Sequence, residues 1–312
     1  MQRARIFSER DILKLANTPF IVNLHFWFQD DDYLYFVLDY AECGDLFNLI
    51  NTFKETEELS IEIGRFITAE ILVALEFLHE NNIIYRDIKP QNVLVDKEGH
   101  VKLWDFGLAK ARFDSSQENT LWGTVKYMAP EILMYQKYGF TADFWSLGIL
   151  LYRVSTGELP YNDSDVSKIK NKIKFEDFKL DRESFDDDTI DILRKLLTKD
   201  PKKRLGAKGI DQIKKHPFYK NINWDKLKKK QITVPFDPEL LITQNIDVEG
   251  QDNKEEIKLK FSTGKGLTKS KKKTEQMFKQ FTYINEDIDM KKIEQEEKNR
   301  VTSGEETSRK ND

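Results

Sequence analysis

Two short segments of the chain carry side chains that could do chemistry on a charged substrate. Asp87, Lys89 and Asn92 lie in the first segment, and Asp105 begins the second as part of Asp-Phe-Gly. Carboxylate and amide oxygens suit hard cations such as Mg²⁺, and nearby cations stabilise developing negative charge. Taken singly, each aspartate has a structural explanation, because Asp is common in turns. A chemical role becomes the better interpretation only when the segments act together.

A long helix and a short hairpin must position these segments. Apolar residues recur at intervals of three and four from Ser60 to Glu80, which predicts an amphipathic helix. The runs Val93–Val95 and Val101–Leu103 are joined by Asp-Lys-Glu-Gly, which predicts a hairpin. The first chemical segment lies between the helix and the hairpin, and the second directly follows the hairpin.

The remaining periodicity predicts a few strands first and a larger helical body after them. A short helical pattern ends before Pro19, because the residue ahead of a proline is pushed out of the helical region. Strands are predicted at 21–28 and 33–38, and helices at 144–154, 187–199 and 210–215.

The composition excludes several classes of protein. At about 150 residues per domain, 312 residues suffice for two domains. The 50 basic and 54 acidic residues give a net charge of -4, which carries no nucleic-acid signature. Cys43 is the only cysteine, which excludes an internal disulfide framework and favours a reducing compartment. No secretory signal and no membrane-spanning run is visible, and the lysine-rich run 269–273 is interpreted as part of a solvated tail.

The two segments and Ala129-Pro-Glu131 resemble, in order and spacing, the signature set of eukaryotic protein kinases. The resemblance implies an α+β, protein-kinase-like fold with a truncated small β lobe, a large mainly helical lobe and a C-terminal tail. It also implies the roles of four residues. Asp87 would orient the substrate hydroxyl and accept its proton, and Lys89 would lie against the transferring phosphoryl group. Asn92 and Asp105 would hold Mg²⁺, with ATP as the phosphoryl donor.

The same resemblance assigns supporting roles to other residues. Glu9, Asp45 and Leu94 would contribute to the nucleotide site, and Lys89 is typical of serine/threonine-specific kinases. Glu131 and Arg204 would form a buried ion pair, and Asp143 would brace the catalytic loop. Those last three roles are structural.

Several features are similar to the AGC group of serine/threonine kinases. These are Tyr85 in place of the commoner histidine, His-Pro-Phe-Tyr at 216–219, Val-Pro-Phe at 234–236 and Phe-Lys-Gln-Phe-Thr-Tyr at 278–283. In that group the last motif docks its aromatics on the small lobe, which makes Thr282 a candidate regulatory phosphosite.

The activation segment offers a second candidate switch at Thr120. The resemblance places Arg5, Arg86 and Lys110 where their side chains would converge on a phosphate there. A phosphate carries close to two negative charges, so three cations could order the loop through charge-assisted hydrogen bonds.

The chain also departs from the kinase pattern. A Gly-rich loop and the following ATP-binding lysine have no counterpart, and Gly264-Lys-Gly266 lacks a third glycine. The departure leaves two hypotheses, an incomplete chain of an active kinase or a catalytically impaired kinase-like scaffold. We favour the first, because the scaffold has little need for the four chemical residues together.

The residues expected at the substrate groove differ as well. AGC kinases that prefer basic peptides place acids at several points, where this chain has Gln91, Lys126 and Arg153, with only Asp45 still acidic. A basic consensus is therefore in doubt, because like charges repel an arginine-rich substrate.

The predicted organisation is a partial small lobe at 1–40, a helical lobe at 41–219, a C-terminal tail at 220–284 and a disordered end at 285–312. We expect a protein substrate and an upstream activating kinase as partners, no nucleic acid, no transmembrane segment, and a monomer. A cytoplasmic location is expected, with the nucleus as a further location.

Overall fold

The computed structural model describes residues 2–29, 34–56, 58–111, 123–178, 185–242 and 283–284. The chain divides into two units, Met1–Val22 with Tyr40–Glu255 and Asn23–Asp39 with Glu256–Asp312. The predicted disordered end at 285–312 lies outside the described residues. Along the described chain no helix combines the length and the apolar character needed to cross a membrane.

The helices and strands follow one another along the described residues as a mixed α and β chain. The helices are α1 Gln2–Leu15, α2 Leu46–Glu55, α3 Ile61–Glu80, α4 Pro130–Leu133, α5 Thr141–Thr156, α6 Val166–Phe175, α7 Asp187–Leu196, α8 Asp211–Lys214 and α9 Trp224–Lys228. The strands are β1 Leu24–Gln29, β2 Leu34–Leu38, β3 Ile83–Ile84, β4 Val93–Val95, β5 Val101–Leu103, β6 Lys110–Ala111 and β7 Tyr283–Ile284.

In the smaller unit, β1 pairs antiparallel with β2 on one edge and with β7 on the other. The prediction of a strand at 21–28 was wrong at its start, since β1 begins at Leu24. Ile21 forms an isolated bridge with Leu103, and Val22 N donates to Leu103 O at 3.0 Å. Ile21 and Val22 belong to the larger unit and pair with β5 of that same unit, a choice that β propensity alone does not reveal.

The larger unit is built around α3 and α5, which pack against each other. Ser60 caps the start of α3 by accepting a hydrogen bond from Ile63 N at 3.3 Å, and the helix ends at Asn81 as predicted. Gly64 permits the close approach, because a Cβ there would lie 2.5 Å from Ser155 Oγ on α5. Burial along α5 agrees with the predicted all-round apolar helix at 144–154.

The predicted hairpin is confirmed as β4 and β5, with Leu94 opposite Lys102. Its turn uses Gly99 at a φ of 85°, a conformation that favours glycine. The helices predicted at 187–199 and 210–215 are shorter than expected, because α7 ends at Leu196 and α8 covers only Asp211–Lys214. Hairpin and α3 together set the two chemical segments side by side.

Candidate active site

The first chemical segment folds so that two of its polar side chains converge on one carboxylate oxygen of the third. Asp87 Oδ2 accepts hydrogen bonds from Lys89 Nζ at 2.6 Å and from Asn92 Nδ2 at 2.7 Å. The same Asn92 amide also donates to Asp87 O at 3.0 Å, which closes the loop upon itself. The Asp87 side chain is 4% exposed and the Lys89 side chain 19%, so the carboxylate is recessed beneath a partly accessible ammonium group.

The second segment is fastened to the first through Trp104. Its backbone N donates to Asn92 O at 3.2 Å, and its indole Nε1 donates to Gln91 O at 2.8 Å. The next residue, Asp105, is therefore held beside Asn92. Asp105 has a φ of 56°, and its Oδ1 accepts a hydrogen bond from Gly107 N at 3.2 Å. A non-glycine residue in this left-handed region is uncommon and is found where the surrounding structure holds it.

Asn92 and Asp105 fit the chemistry of a magnesium site. The Asn92 amide nitrogen is committed to Asp87, which leaves its amide oxygen available as a ligand. Asp105 contributes a half-buried carboxylate from the adjoining segment. Mg²⁺ in phosphate-transferring sites is bound through one or two protein oxygen ligands together with substrate phosphates.

Asp143 of α5 supports, through hydrogen bonds, the backbone directly before Asp87. Its side chain is fully buried and accepts hydrogen bonds from Tyr85 N at 3.0 Å and Arg86 N at 2.8 Å. His79 Nε2 lies 2.7 Å from Asp143 Oδ2, the same oxygen that accepts from Tyr85 N. Arg86 has a φ of 69°, a strained conformation that these backbone hydrogen bonds help to hold. The predicted bracing role of Asp143 is confirmed.

Tyr85 links the two segments through both its ring and its hydroxyl. The hydroxyl donates to Trp104 O at 2.5 Å, and the ring packs edge-on against Phe106 with 5.3 Å between centroids. Burial raises the pKa of Tyr85 well above its usual value, with further contributions from Asp87 and Asp105. The tyrosine therefore remains a hydrogen-bond donor and fixes the spacing between the segments.

The residues predicted to contact nucleotide occupy two places in the larger unit. Glu9 lies at Asp105-Phe-Gly107, since a Cβ on Gly107 would be 3.9 Å from Glu9 Oε2. Burial first, and then the Asp105 charge, raise the pKa of Glu9 to about 7, although a hydrogen bond from the Phe106 backbone opposes the shift. Among the described residues no basic side chain forms an ion pair with Glu9.

Asp45 and Leu94 are brought together elsewhere, through an isolated antiparallel bridge. The half-buried Asp45 also caps α2, because its Oδ1 accepts a hydrogen bond from Asn48 N at 2.9 Å. Part of its capacity to bind a ligand is therefore used by the fold. No observation assigns a nucleotide contact to either residue, and their predicted role stays a prediction.

Only some residues of the predicted phosphate switch lie within the described part of the chain. Thr120 and Thr282 lie outside the described residues, as does the side chain of Arg5, whose backbone belongs to α1. Arg86 donates through Nε to Leu108 O and through NH1 to Tyr138 OH at 2.8 Å, and no carboxylate among the described residues pairs with it. Lys110 lies in β6, which pairs with β3 directly before the catalytic loop.

The predicted ion pair between Glu131 and Arg204 is confirmed. Both side chains are fully buried, and the two oxygens of Glu131 accept from NH1 and NH2 of Arg204 at 2.7 and 2.8 Å. Arg204 also donates to the backbone oxygens of Thr141, Thr198 and Lys199. Satisfying all of its donors in this way is what permits a guanidinium to be buried.

Two residues at the site were missed by sequence reasoning. Trp104 fastens Asp105 to the loop, and only its place directly before Asp105 could have drawn attention to it. Gly123 has a φ of 102°, and a Cβ there would lie 3.2 Å from Asp87 Oδ1. The chain at Gly123 thus runs directly past the carboxylate, a proximity that the spacing of thirty-six residues in sequence conceals.

The amino-acid sequence of the chain matches those of known proteins. Residues 1–219 match the family model described as the protein kinase domain. The chain is 41% identical over 246 residues to serine/threonine-protein kinase gad8 of Schizosaccharomyces pombe, covering 78% of this chain and 42% of that protein. It is 41% identical over 238 residues to ribosomal protein S6 kinase alpha-6 of Homo sapiens, covering 76% and 31%.

A third relative is protein kinase 2 of Dictyostelium discoideum, 41% identical over 233 residues, which cover 75% of this chain and 48% of that protein. The chain therefore spans about a third to a half of the length of these relatives.

Proposed function

Because the chain belongs to the protein kinase domain family, we propose that it transfers the γ-phosphate of ATP to serine and threonine hydroxyls of protein substrates. The observation that carries the proposal is the convergence of Lys89 and Asn92 on Asp87 Oδ2, with Asp105 fastened alongside. The relatives named above carry serine/threonine kinase or kinase in their names, which supports the same reaction.

The two oxygens of Asp87 have different surroundings, and this difference suggests their division of labour. Oδ2 is occupied by Lys89 and Asn92, whereas Oδ1 faces the backbone at Gly123. Oδ1 is therefore the oxygen proposed to orient the substrate hydroxyl and to accept its proton as the new oxygen–phosphorus bond forms. The bond from the γ-phosphorus to the departing diphosphate oxygen breaks in the same transfer.

Cationic groups would stabilise the charge that spreads over the phosphate oxygens. Bound Mg²⁺, held by Asn92 and Asp105, would supply most of that stabilisation and would orient the ATP phosphates. Lys89 adds a fixed positive charge at the same carboxylate and can shift toward the transferred group, because its ammonium group is partly exposed.

Regulation by phosphorylation at Thr120 and Thr282 belongs to the proposal. The support within the described residues is Arg86, whose guanidinium is bound by neutral oxygens and has no carboxylate partner there. A phosphate offers such a guanidinium a charge-assisted partner. An upstream activating kinase, a monomeric state and a cytoplasmic location complete the proposal.

The test is phosphate transfer by the purified chain. The chain is incubated with Mg²⁺ and radiolabelled ATP together with a serine/threonine peptide library, beside the variants Asp87→Asn and Asp105→Asn. We expect incorporation to fall about 10²- to 10⁴-fold in Asp87→Asn, the range that a general base contributes.

Lys202→Gln serves as the matched control, because Lys202 is exposed in the turn after α7. Incorporation that persists in Asp87→Asn, or that appears on tyrosine, would refute the proposal. No incorporation by the parent chain, combined with weak Mg-ATP binding, would favour the kinase-like scaffold.

A further inference from the structure

Two basic side chains, Lys126 and Arg153, lie on elements that are tied together beside the proposed acceptor site. Lys126 belongs to the short turn Val125–Tyr127, and Arg153 belongs to α5. Ser146 of α5 donates to Tyr127 O at 2.8 Å, which fixes the turn on the helix. Burial raises the pKa of Tyr127 to about 12, and Arg153 is close enough to oppose that shift. We call Lys126 and Arg153 the basic platform.

The basic platform lies within reach of a peptide whose acceptor is at Asp87. Gly123 passes directly by Asp87 Oδ1, and Lys126 follows three residues later. Three residues span at most about 11 Å even when fully extended. Lys126 is therefore close enough for side chains a few residues from an acceptor hydroxyl at Asp87 to reach it.

The charges of the platform are not neutralised by the fold. Lys126 Nζ has Asn162 Oδ1 at 3.4 Å, and Arg153 donates through NH1 to the Gly157 carbonyl, so both bind neutral oxygens. Within the described ranges neither side chain has a carboxylate at ion-pair distance.

Glu158 interacts electrostatically with Arg153, but the pKa of Glu158 is lowered first by its hydrogen bond to Lys54. Glu158 is thus already paired. Asp163, on the loop that carries Asn162, is paired with Lys172 at 2.9 Å. Glu158 and Asp163 therefore each have a lysine partner, whereas the half-buried Lys126 and Arg153 have no carboxylate partner within the described residues.

These observations favour a substrate that brings its own negative charge. Half-buried cations are screened by water less than exposed ones, so an approaching carboxylate gains more there and an approaching lysine or arginine is repelled more. Charge complementarity of this kind sets which partner is selected as well as how fast it binds. Gln91, exposed in the catalytic loop, is neutral and adds no opposing acid.

We propose that the basic platform selects protein substrates with aspartate or glutamate near the acceptor hydroxyl, an inference that rests on the proposed kinase function. Lys126 and Arg153 are specificity residues in this proposal, since neither touches the reacting atoms.

Peptide binding tests the proposal without depending on turnover. Three labelled peptides of equal length carry alanine in place of the acceptor serine, and their flanking residues are glutamate, glutamine or lysine. Fluorescence anisotropy with the full chain should rank binding as glutamate above glutamine above lysine. In Lys126→Gln/Arg153→Gln the glutamate peptide should bind about fivefold more weakly and the glutamine peptide should be unchanged.

Lys202→Gln/Lys203→Gln is the matched control, because it removes the same net charge from an exposed turn. Lys126→Gln alone provides a second variant, since Arg153 also donates to the end of α5 and its replacement could disturb that helix. Thermal melts verify that each variant is folded.

The outcomes separate the two proposals. Charge-selective binding without phosphate transfer to the matching serine peptides would refute the kinase function and leave the platform's selectivity intact. Phosphate transfer with equal or stronger use of the lysine peptide would refute the selectivity and leave the kinase function intact. An equal loss of glutamate-peptide binding in the matched control would show that the effect comes from net charge, and would overturn the proposal.

Discussion

Two ion pairs of the larger unit use the same chemistry in opposite surroundings. Glu131 and Arg204 are fully buried, and the described structure satisfies both carboxylate oxygens and the arginine's donors. Asp87 and Lys89 are 4% and 19% exposed, and one oxygen of Asp87 faces the passing chain at Gly123. The first pair is closed and holds helices in place, whereas in the second Asp87 Oδ1 accepts no hydrogen bond from the described residues. Burial and the number of unsatisfied hydrogen-bonding positions, more than residue type, distinguish a structural ion pair from a reactive one.

The largest expected effect comes from breaking the closed pair. Arg204→Met should lower the free energy of unfolding by about 3–5 kcal/mol, because it leaves Glu131 charged, buried and without its partner. Urea unfolding followed by circular dichroism measures the loss. Glu131→Leu/Arg204→Met should recover part of it, since the unpaired charge is gone. If the single variant is as stable as the parent chain, the closed pair does not hold the helices.

Asp143 shares a property with each pair. It is buried like Glu131 and Arg204, but it supports the loop that carries Asp87 and Lys89. Asp143→Asn replaces an acceptor by a group that must turn an N–H toward Tyr85 N, Arg86 N or His79. We expect a loss of about 1–3 kcal/mol in unfolding free energy together with reduced phosphate transfer. Asp225→Asn, at an exposed position of α9, is the control. A loss of stability with full phosphate transfer would show that Asp143 stabilises the fold without supporting catalysis.

The pair of Asp87 and Lys89 should contribute little to stability. Lys89→Met removes a partly exposed ammonium and leaves Asp87 bound to Asn92, so unfolding free energy should change by no more than about 1 kcal/mol. Phosphate transfer should nevertheless fall strongly. Urea midpoints and transfer rates measured on the same preparations check both expectations. A destabilisation as large as that of Arg204→Met would erase the distinction between the two pairs.

The smallest effect is a pH dependence at the contact of the buried His216 with the partly exposed Asp191. Phe218 N donates to His216 Nδ1 at 3.2 Å, and Nε2 lies 2.9 Å from Asp191 Oδ2, so the neutral ring is required. Burial lowers the pKa of His216, although Asp191 opposes the shift. The unfolded chain then binds the proton more readily, and stability should decline as the pH falls below about 6.5.

Urea midpoints between about pH 7.5 and about pH 5.5 test this expectation. His216→Gln should decline less over the same range than the parent chain. Parallel curves for the two proteins would show that His216 does not contribute.

The elements near the site were predictable where one local pattern decides them. The periodicity of α3 and the two runs of β4 and β5 led directly to the observed elements. Helix α2 was missed even though Asp45 and apolar residues at Leu46, Leu49 and Ile50 supplied the signal of a capped helix. The predicted resemblance to the protein kinase family is confirmed by the family match over residues 1–219, and the relatives include a serine/threonine-protein kinase.

The site itself was predictable in its members but not in its geometry. Asp87, Lys89, Asn92 and Asp105 could be named from their motifs, because those motifs are contiguous in sequence. The approach of Gly123 to Asp87 could not be predicted, because it depends on how the folded chain brings residues far apart in sequence together. The left-handed backbone at Arg86 and Asp105 is likewise imposed by contacts with distant groups, Asp143 among them.

By itself, the sequence determined which residue types stand at which spacing, and hence the family, the main local elements and the candidate chemical groups. The tertiary structure alone decided which oxygen of Asp87 accepts no hydrogen bond from the described residues, which ion pair is sealed from water, and which cations have no carboxylate partner among those residues. Those properties depend on desolvation and on hydrogen bonds between residues far apart in the chain, and a linear pattern carries neither.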